Sequence, residues 1–330
     1  MMMQERLCQP GEQLSDELLS GNQPIILRGL IKHWPFVKEG EGSATAGLHY
    51  LRQFYNHKPV YAMVAPPSVK GRFFYNDALD GFNFSHQQFD LCQMLDTLLT
   101  QVGQADVPAY YLGSTSVNQI LPGFRQYNDI PQLADKPIVS IWIGNQSRVA
   151  AHYDVTDNVA CVAMGKRRFT LFPPDQLDNL YIGPLDFTPA GQPASLVDFH
   201  HPDFVKFPQF KTALVHAQVA ELDAGDAIFI PSMWWHHVEA LSNINVLVNY
   251  WWRQVPMHMG APTDALHHAM LAIKDLPPAQ RDAWRDLFEH YVFNPKDQAH
   301  IPVHAQGILK PIDESQARKL RAMLLNSLNR

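Results

Sequence analysis

A histidine and an aspartate stand one residue apart in the stretch RVAAHYDVTDNVACVA, residues 148–163. The pattern of this stretch predicts a strand, a loop and a second strand, and side chains at positions i and i+2 of a strand point to the same side. His152 and Asp154 can therefore offer an imidazole nitrogen and a carboxylate oxygen to one metal ion. The pair alone is weak evidence, because the same spacing also occurs among ordinary surface and core residues.

A third metal ligand is available in the stretch GDAIFIPSMWWHHVEAL, residues 225–241. After a turn and a buried strand, the letters WWHHVEAL predict another strand. His236 shares its strand face with apolar Val238, so it is the histidine that we predict to point inward. His237 shares the opposite face with Glu239, and we interpret it as a surface histidine or as one that supports the metal ligands.

Two histidines and one carboxylate on one side of a metal leave coordination positions open on the other side. This facial arrangement is typical of non-haem Fe(II) that works with dioxygen. Catalytic zinc more often takes three histidines, two histidines with a glutamate, or a set that contains cysteine. The residue types therefore favour an iron-dependent oxygenase, and a zinc hydrolase is the alternative.

Short apolar runs, separated by Pro, Gly, Asn and Asp, dominate residues 20–255. Their β-branched and aromatic residues predict a β-rich body, and the 25 prolines of the chain suit its many turns. Helices are predicted at 87–102 and near 45–55. The predicted strands lie within the segments 24–30, 59–67, 137–145, 167–175, 226–232 and 244–252.

Helical periodicity replaces the strand pattern after Pro262, where Thr263 or Asp264 is predicted to cap the first of several amphipathic helices. We therefore predict two regions. Residues 1–260 form a β-rich catalytic domain with an N-terminal extension, and residues 261–330 form a helical region. The apolar stripes of this region either pack on the β-rich body or, as we predict, form the interface of a homodimer.

The composition argues against nucleic-acid-binding, membrane-spanning and secreted proteins. The 330 residues are 46% hydrophobic and carry a net charge of −6, without a basic tract of the kind that binds nucleic acid or anionic membranes. The N-terminus has no signal-peptide pattern, and no stretch reaches the length of apolar residues that spans a bilayer, so no membrane span is predicted. The three cysteines lie far apart, which favours a cytoplasmic location.

Five ordered blocks of the sequence, among them HYD, GKRRFTLFPPDQLDNLY and GDAIFIPSMWWHHVEAL, resemble the cupin-like JmjC oxygenases, in particular the asparaginyl hydroxylase of hypoxia-inducible factor. The resemblance covers residues 20–255. It implies a mainly β fold, a double-stranded β-helix or jelly roll with flanking helices and an α-helical C-terminal tail. It also implies that His152, Asp154 and His236 hold Fe(II). The implied reaction uses 2-oxoglutarate and O2 to hydroxylate a C–H bond, with succinate and carbon dioxide as coproducts.

The family binds the far carboxylate of 2-oxoglutarate with a lysine, which lies two residues after the glycine that follows the HxD strand. That glycine corresponds to Gly165, so Arg167 takes the position of the lysine. Arginine can bind a carboxylate through two parallel N–H bonds. Strand alternation places Arg167 on the same face as apolar Phe169. A positive charge on an apolar face requires an anion as its partner. Lys166 is the alternative ligand.

Other positions match cosubstrate-binding residues of the family. Tyr111, or its neighbour Tyr110, corresponds to a tyrosine that contacts the far carboxylate. Val149 replaces a family threonine and removes its hydroxyl. Three more positions match family residues near the metal-bound end of the cosubstrate: Asn158, Asn249 and Trp251. The alternative is that the two asparagines are ordinary turn or strand-end residues and that the tryptophan packs in the core.

The residues that bind the peptide in the asparaginyl hydroxylase are replaced by Pro193 and Ala194, so its peptide specificity does not carry over. Loops at 182–201 and 64–76 are candidates for substrate contacts. We expect a peptide or protein side chain as the substrate, with a small molecule as the alternative. A metal-bearing cupin that binds a ligand without turnover is a further alternative. No nucleic-acid or membrane partner is expected.

Overall fold

The computed structural model describes residues 3–133, 138–189 and 191–329 of the chain. Pro137, with which one predicted strand begins, and Ala190, in one predicted substrate loop, lie outside the described residues. The chain forms two compact units, Met1–Gln254 and Val255–Arg330. Their boundary falls shortly before the predicted boundary at residue 260.

The N-terminal unit contains a nine-stranded sheet and a five-stranded sheet. Within the described residues the strands are β1 (Gln4–Leu7), β2 (Ile25–Arg28), β3 (Val60–Ala65), β4 (Arg72–Phe73), β5 (Ser85–Phe89), β6 (Ala109–Ser116), β7 (Ile138–Gly144), β8 (Arg148–His152), β9 (Asp157–Met164), β10 (Arg167–Phe172), β11 (Gln218–Leu222), β12 (Ala227–Ile230), β13 (Trp235–Ala240) and β14 (Asn245–Trp252). The large sheet has the order β1-β2-β12-β9-β14-β7-β6-β3-β5, and the small sheet has the order β11-β10-β13-β8-β4. Two facing sheets of this kind fit the predicted jelly roll.

Helices flank the sheets of the N-terminal unit and make up much of the C-terminal unit. The structure places them at α1 (Asp16–Leu19), α2 (Pro35–Gly42), α3 (Ala44–Arg52), α4 (Leu91–Thr100), α5 (Val117–Ile120), α6 (Phe210–His216), α7 (Pro262–Ile273), α8 (Pro278–Phe288) and α9 (Glu314–Leu328). In the described part of the chain, no helix combines the length and the apolar character needed to cross a membrane.

The predicted helix near 45–55 is confirmed as α3, but the helix predicted at 87–102 begins later, at Leu91. The residues before it form β5, which pairs with β3 along five cross-strand positions. Asp90 then caps α4, because its side chain accepts the backbone N–H of Gln93 at 3.2 Å. Pairing with a neighbouring strand therefore overrides the helical spacing of the letters QQF.

Each face of the large sheet has its own apolar core. On one face, side chains from the helical segments between β2 and β6, such as Trp34 and Leu95, join buried strand residues such as Ile141 and Val248. The other face packs against the small sheet. That core contains the side chains Ile26, Ala160, Val162 and Leu247 of the large sheet and Phe169, Leu171, Leu222 and Val238 of the small sheet.

The C-terminal unit begins its first helix earlier than predicted. Pro262 is the first helical residue and Ala261 is the N-cap, so the cap predicted at Thr263 or Asp264 is wrong. Proline suits the first helical position because its φ angle is preset and its missing N–H would have no intrahelical acceptor there. In the same unit, α9 starts with a capping box in which Asp313 and Gln316 satisfy each other's backbone N–H groups.

Asp226 joins the turn before β12 to β2. Its carboxylate accepts the buried backbone N–H of Gly29 at 2.8 Å and a guanidinium N–H of Arg28 at 2.7 Å. The substitution Asp226→Ala is expected to lower the free energy of unfolding by about 1–3 kcal/mol, because a buried donor loses its acceptor. Glu5→Gln is the control, since exposed Glu5 pairs with the same arginine at 2.8 Å and should cost less than about 1 kcal/mol. Equal losses in chemical denaturation would contradict this account.

Candidate metal centre

Two neighbouring strands of the small sheet supply the metal-ligand candidates. His152 ends β8, Asp154 follows it, and His236 of β13 lies directly opposite His152 in the antiparallel register. The centres of the two imidazole rings are 4.4 Å apart. One ligand atom from each of the three side chains lies within 4.8 Å of the other two, and no other such group occurs among the described residues. The structure therefore brings the three predicted ligands together.

Backbone carbonyls orient both imidazoles. The Nδ1 atom of His152 lies 2.9 Å from the carbonyl oxygen of Ala150, and that of His236 lies 2.9 Å from the carbonyl oxygen of Trp234. A carbonyl oxygen only accepts, so each Nδ1 carries the hydrogen and each Nε2 keeps its lone pair for a metal. Burial, together with the neighbouring His152, lowers the pKa of His236, which favours the neutral imidazole. These donors fit a divalent metal with open positions.

The carboxylate of Asp154 is held by two side-chain donors. The indole N–H of Trp251 donates to Oδ2 at 3.0 Å, and the amide Nδ2 of Asn158 donates to the same oxygen at 3.4 Å. That oxygen lies 3.7 Å from Nε2 of His236. Trp251 and Asn158, which the sequence associates with the cosubstrate, thus also contact a metal-ligand candidate directly.

The three ligand candidates line a cavity of about 540 Å³ between the two sheets. The small sheet contributes the histidines and Arg167, while the large sheet contributes residues of β6, β7, β9 and β14. The predicted cosubstrate ligands that line the cavity are Arg167, Tyr111, Asn158, Asn249 and Trp251. The two alternatives, Lys166 and Tyr110, do not line it, and Tyr110 packs against the helix-covered core instead.

Arg167 is buried in the cavity wall, with 1% of its surface exposed. Its guanidinium lies near the hydroxyl of Tyr111, and its buried Nε and Nη2 atoms have no hydrogen-bond partner among the residues that the structure describes. Burial lowers the pKa of Arg167 and raises that of Tyr111 to about 12. The guanidinium N–H groups and the phenolic O–H of Tyr111 are all able to donate hydrogen bonds. The pair is suited to bind an anion, which would satisfy the buried cation.

Lys166 lies outside the cavity. Its ammonium pairs with Glu221 at 3.2 Å and with Asp223 at 3.7 Å on the exposed side of the small sheet. Arg168 points to the same side and donates to Glu221 at 2.7 Å. Strand alternation therefore separates Arg167 from both basic neighbours, and the structure does not bring Lys166 to the other predicted cosubstrate ligands.

His237 faces away from the metal-ligand candidates, as the alternation of β13 predicts, but it is buried there. The ring of Phe199 stacks on its imidazole with the ring centres 4.5 Å apart. Burial lowers the pKa of His237 to about 4. A surface position for His237 is therefore wrong, because the chain between β10 and β11 folds back and covers this face.

One of the two predicted substrate loops reaches the cavity. The loop at 182–201 contributes lining residues that include Thr188 and Gln192, whereas no residue of 64–76 lines it. In that second segment Phe73 and Tyr75 are buried in aromatic clusters. The cavity wall on this side is formed instead by residues just before and after the segment: Met63, Phe82 and His86.

Trp142 is a cavity residue that the sequence interpretation overlooked. Its ring stacks on Tyr111, with the ring centres 5.7 Å apart, and meets Trp251 edge-on at 5.8 Å. The signal was present in β7, because Ile141 and Ile143 face the helix-covered core and the residue between them must face the cavity.

A family profile and several known proteins match this chain. The profile of a family described as a cupin-like domain matches residues 11–258. Similar proteins include "Lysine-specific demethylase JMJ31" of Arabidopsis thaliana, 32% identical over 37% of this chain and 23% of that protein. "JmjC domain-containing protein D" of Dictyostelium discoideum is 26% identical over 72% of this chain and 54% of that protein. "tRNA wybutosine-synthesizing protein 5" of Mus musculus is 31% identical over 40% of this chain and 43% of that protein.

The chain thus spans between about a quarter and about half of the length of these relatives. The family match confirms the predicted cupin-like JmjC resemblance and the jelly-roll fold. The relatives' names point to both protein and RNA, so the expected absence of a nucleic-acid partner stays a prediction.

Two adjacent substitutions on β13 test whether His236, and not its neighbour His237, binds the metal. His236→Ala is expected to abolish Co(II) binding in a visible-absorption titration, because it removes one of three ligands. His237→Ala should keep the Co(II) affinity, since that imidazole lies on the opposite face of the same strand. If both variants bind Co(II) like the unchanged protein, His236 is not a metal ligand.

Proposed function

Because the chain belongs to the family of cupin-like domains, we propose that it is an Fe(II)- and 2-oxoglutarate-dependent dioxygenase that hydroxylates a C–H bond. His152, Asp154 and His236 would hold the metal as a facial set of two histidines and one carboxylate. The observation that carries the proposal is the buried, incompletely paired cation of Arg167 in the same cavity as this set.

The chain's own residues account for binding of the cosubstrate. Arg167 and the Tyr111 hydroxyl would bind the far carboxylate of 2-oxoglutarate. The carboxylate would accept hydrogen bonds from the Arg167 N–H groups that have no partner within the described chain. Val149 lines the cavity but lacks the hydroxyl of the family threonine. The guanidinium of Arg167 would therefore supply a larger share of the hydrogen-bond donors to the carboxylate than the lysine of the family does. Bound Fe(II) supplies dioxygen activation coupled to the decarboxylation of 2-oxoglutarate to succinate and carbon dioxide.

The cavity walls limit where the reaction can occur. The rings of Trp142 and Trp251 line the large-sheet side of the cavity, and the indole N–H of Trp251 donates to Asp154. A substrate would reach the cavity past the loop residues Thr188 and Gln192 and past Met63 and Phe82, which line the same cavity.

We propose a peptide or protein side chain as the substrate, with a small molecule as the alternative. Similarity to lysine-specific demethylases supports a protein substrate. The net charge of −6 argues against a nucleic-acid substrate, whereas the relatives named tRNA wybutosine-synthesizing protein 5 favour one. A cytoplasmic location is supported by three free cysteines, two of which are buried.

The proposed activity is tested by succinate release from 2-oxoglutarate with Fe(II) and air. Arg167→Gln is expected to raise the KM for 2-oxoglutarate about 10- to 100-fold, because hydrogen bonds to a charged group are worth roughly 1.5–3 kcal/mol. Arg168→Gln is the matched control, since its guanidinium pairs with Glu221 outside the cavity. Absence of both succinate release and Fe(II) binding in the unchanged protein would reject the proposal, and equal KM values for the two variants would reject the role of Arg167.

We also propose a homodimer through the C-terminal helices. Within their own unit, α7 and α8 bury no side chain, and apolar residues such as Leu271 and Trp284 are exposed. Such faces favour association with a second copy over exposure to water.

Leu271→Arg is expected to shift the mass measured by light scattering from dimer to monomer, because it places a charge on the apolar face at a residue that is 79% exposed. The control is Val205→Arg, at a residue of the N-terminal unit that is 95% exposed. A monomeric unchanged protein, or a dimer that persists in the Leu271 variant, would contradict the proposal.

A further inference from the structure

We propose that Trp142 is a positioning residue, whose indole N–H sets the orientation of the Asp154 carboxylate through the amides of Asn249 and Asn158. The inference rests on the proposed function to the extent that Asp154 binds a metal. Trp142 contacts neither Asp154 nor the histidines by a hydrogen bond, so its effect would pass through the two asparagines.

The four residues form a continuous series of hydrogen bonds. The indole N–H of Trp142 donates to Oδ1 of Asn249 at 2.7 Å. The Nδ2 of Asn249 donates to Oδ1 of Asn158 at 3.4 Å, and the Nδ2 of Asn158 donates to Oδ2 of Asp154 at 3.4 Å. The series crosses the large sheet from β7 to β14 and β9, and it ends on the metal-ligand candidate.

The direction of the series is the same when it is followed from either end. An indole N–H can only donate, so the amide of Asn249 must turn its oxygen toward Trp142 and its nitrogen toward Asn158. Asn158 must then accept with its oxygen, and its nitrogen faces the carboxylate of Asp154. An amide alone has no preferred sense, because its two ends are nearly the same in shape. The carboxylate of Asp154 only accepts and requires the same sense from the other end, so Trp142 holds the end of the series that lies away from the metal-ligand candidate.

The opposite sense would be unfavourable at the metal-ligand candidate. If the amide of Asn249 turned over, its oxygen would face the oxygen of Asn158, and a matching turn of Asn158 would place an oxygen against Oδ2 of Asp154. Trp251 would remain as the donor to Asp154 at 3.0 Å. Asn249 is 2% exposed, so water gives little help to an unsatisfied amide there.

Packing holds the indole where its N–H can act. The ring lies between Tyr111 and Trp251, and a Cβ at Gly113 would come within 3.1 Å of the Cζ3 of Trp142. The absent side chain of Gly113 therefore makes room for the indole. A phenylalanine at position 142 keeps a ring against Tyr111 but removes the N–H, which isolates the proposed effect.

The test is a Co(II) titration of Trp142→Phe followed by visible absorption. The Co(II) affinity is expected to fall about tenfold, the lower end of the range for residues that orient metal ligands, and the absorption bands of bound Co(II) should change as the carboxylate turns. Trp34→Phe is the matched control, because it removes another indole N–H, which donates to the carbonyl of Asp129 at 3.1 Å in the same unit. It should leave both the affinity and the absorption bands unchanged.

A second variant, Asn249→Leu, tests the proposal even if Trp142→Phe does not fold. Asn249→Leu interrupts the series with little change in size and should weaken Co(II) binding to the same extent. In the double variant the losses should not add, since both substitutions break one series. Unchanged Co(II) affinity in Trp142→Phe or in Asn249→Leu, or additive losses, would overturn the proposal. If His236→Ala also leaves Co(II) binding intact, the metal site itself fails; if it abolishes binding, only the role of Trp142 fails.

Discussion

The antiparallel register of β8 and β13 is the constraint on which the site depends. Because His152 stands directly opposite His236, both imidazoles face one cavity, and Asp154 completes the set just beyond the end of β8. A shift of one residue would turn every side chain of β13 to the other face and would offer His237 in place of His236. The ligand set is therefore as well defined as the strand pairing, which the apolar core between the sheets holds in place.

The same alternation creates the electrostatics of the cavity. At the start of β10 it buries Arg167 and leaves Arg168 and the preceding Lys166 outside, where Glu221 pairs with both. A buried cation with two atoms lacking partners in the described chain is unfavourable until an anion binds. Ligand binding and stability are therefore linked at this residue, because an anion that binds only the folded state stabilises it.

Local sequence periodicity predicted the strands and helices correctly where one period was clearly dominant. The strands around the cavity follow their alternation, and α3 forms where a helix was predicted, with Ser43 as its N-cap. The helix predicted at 87–102 shows the limit, because the letters QQF fit a helix by spacing and form β5 by pairing with β3. The burial of His237 shows another limit, since the ring of Phe199 that covers it comes from a distant loop. Neither long-range contact leaves a trace in local periodicity.

By itself, the sequence determined which residue types could bind a metal and which strand face each occupies. Alternation is a property of the strand alone, so His152, His236 and Arg167 could be assigned to one interior before any contact was known. Only the tertiary structure decided which residues of the large sheet meet them. Trp142 and Asn249 are 107 positions apart, and their hydrogen bond exists because β7 and β14 are neighbours in the large sheet. That neighbourhood results from the packing of whole sheets, which minimises exposed apolar surface over the entire unit and cannot be derived from any single segment.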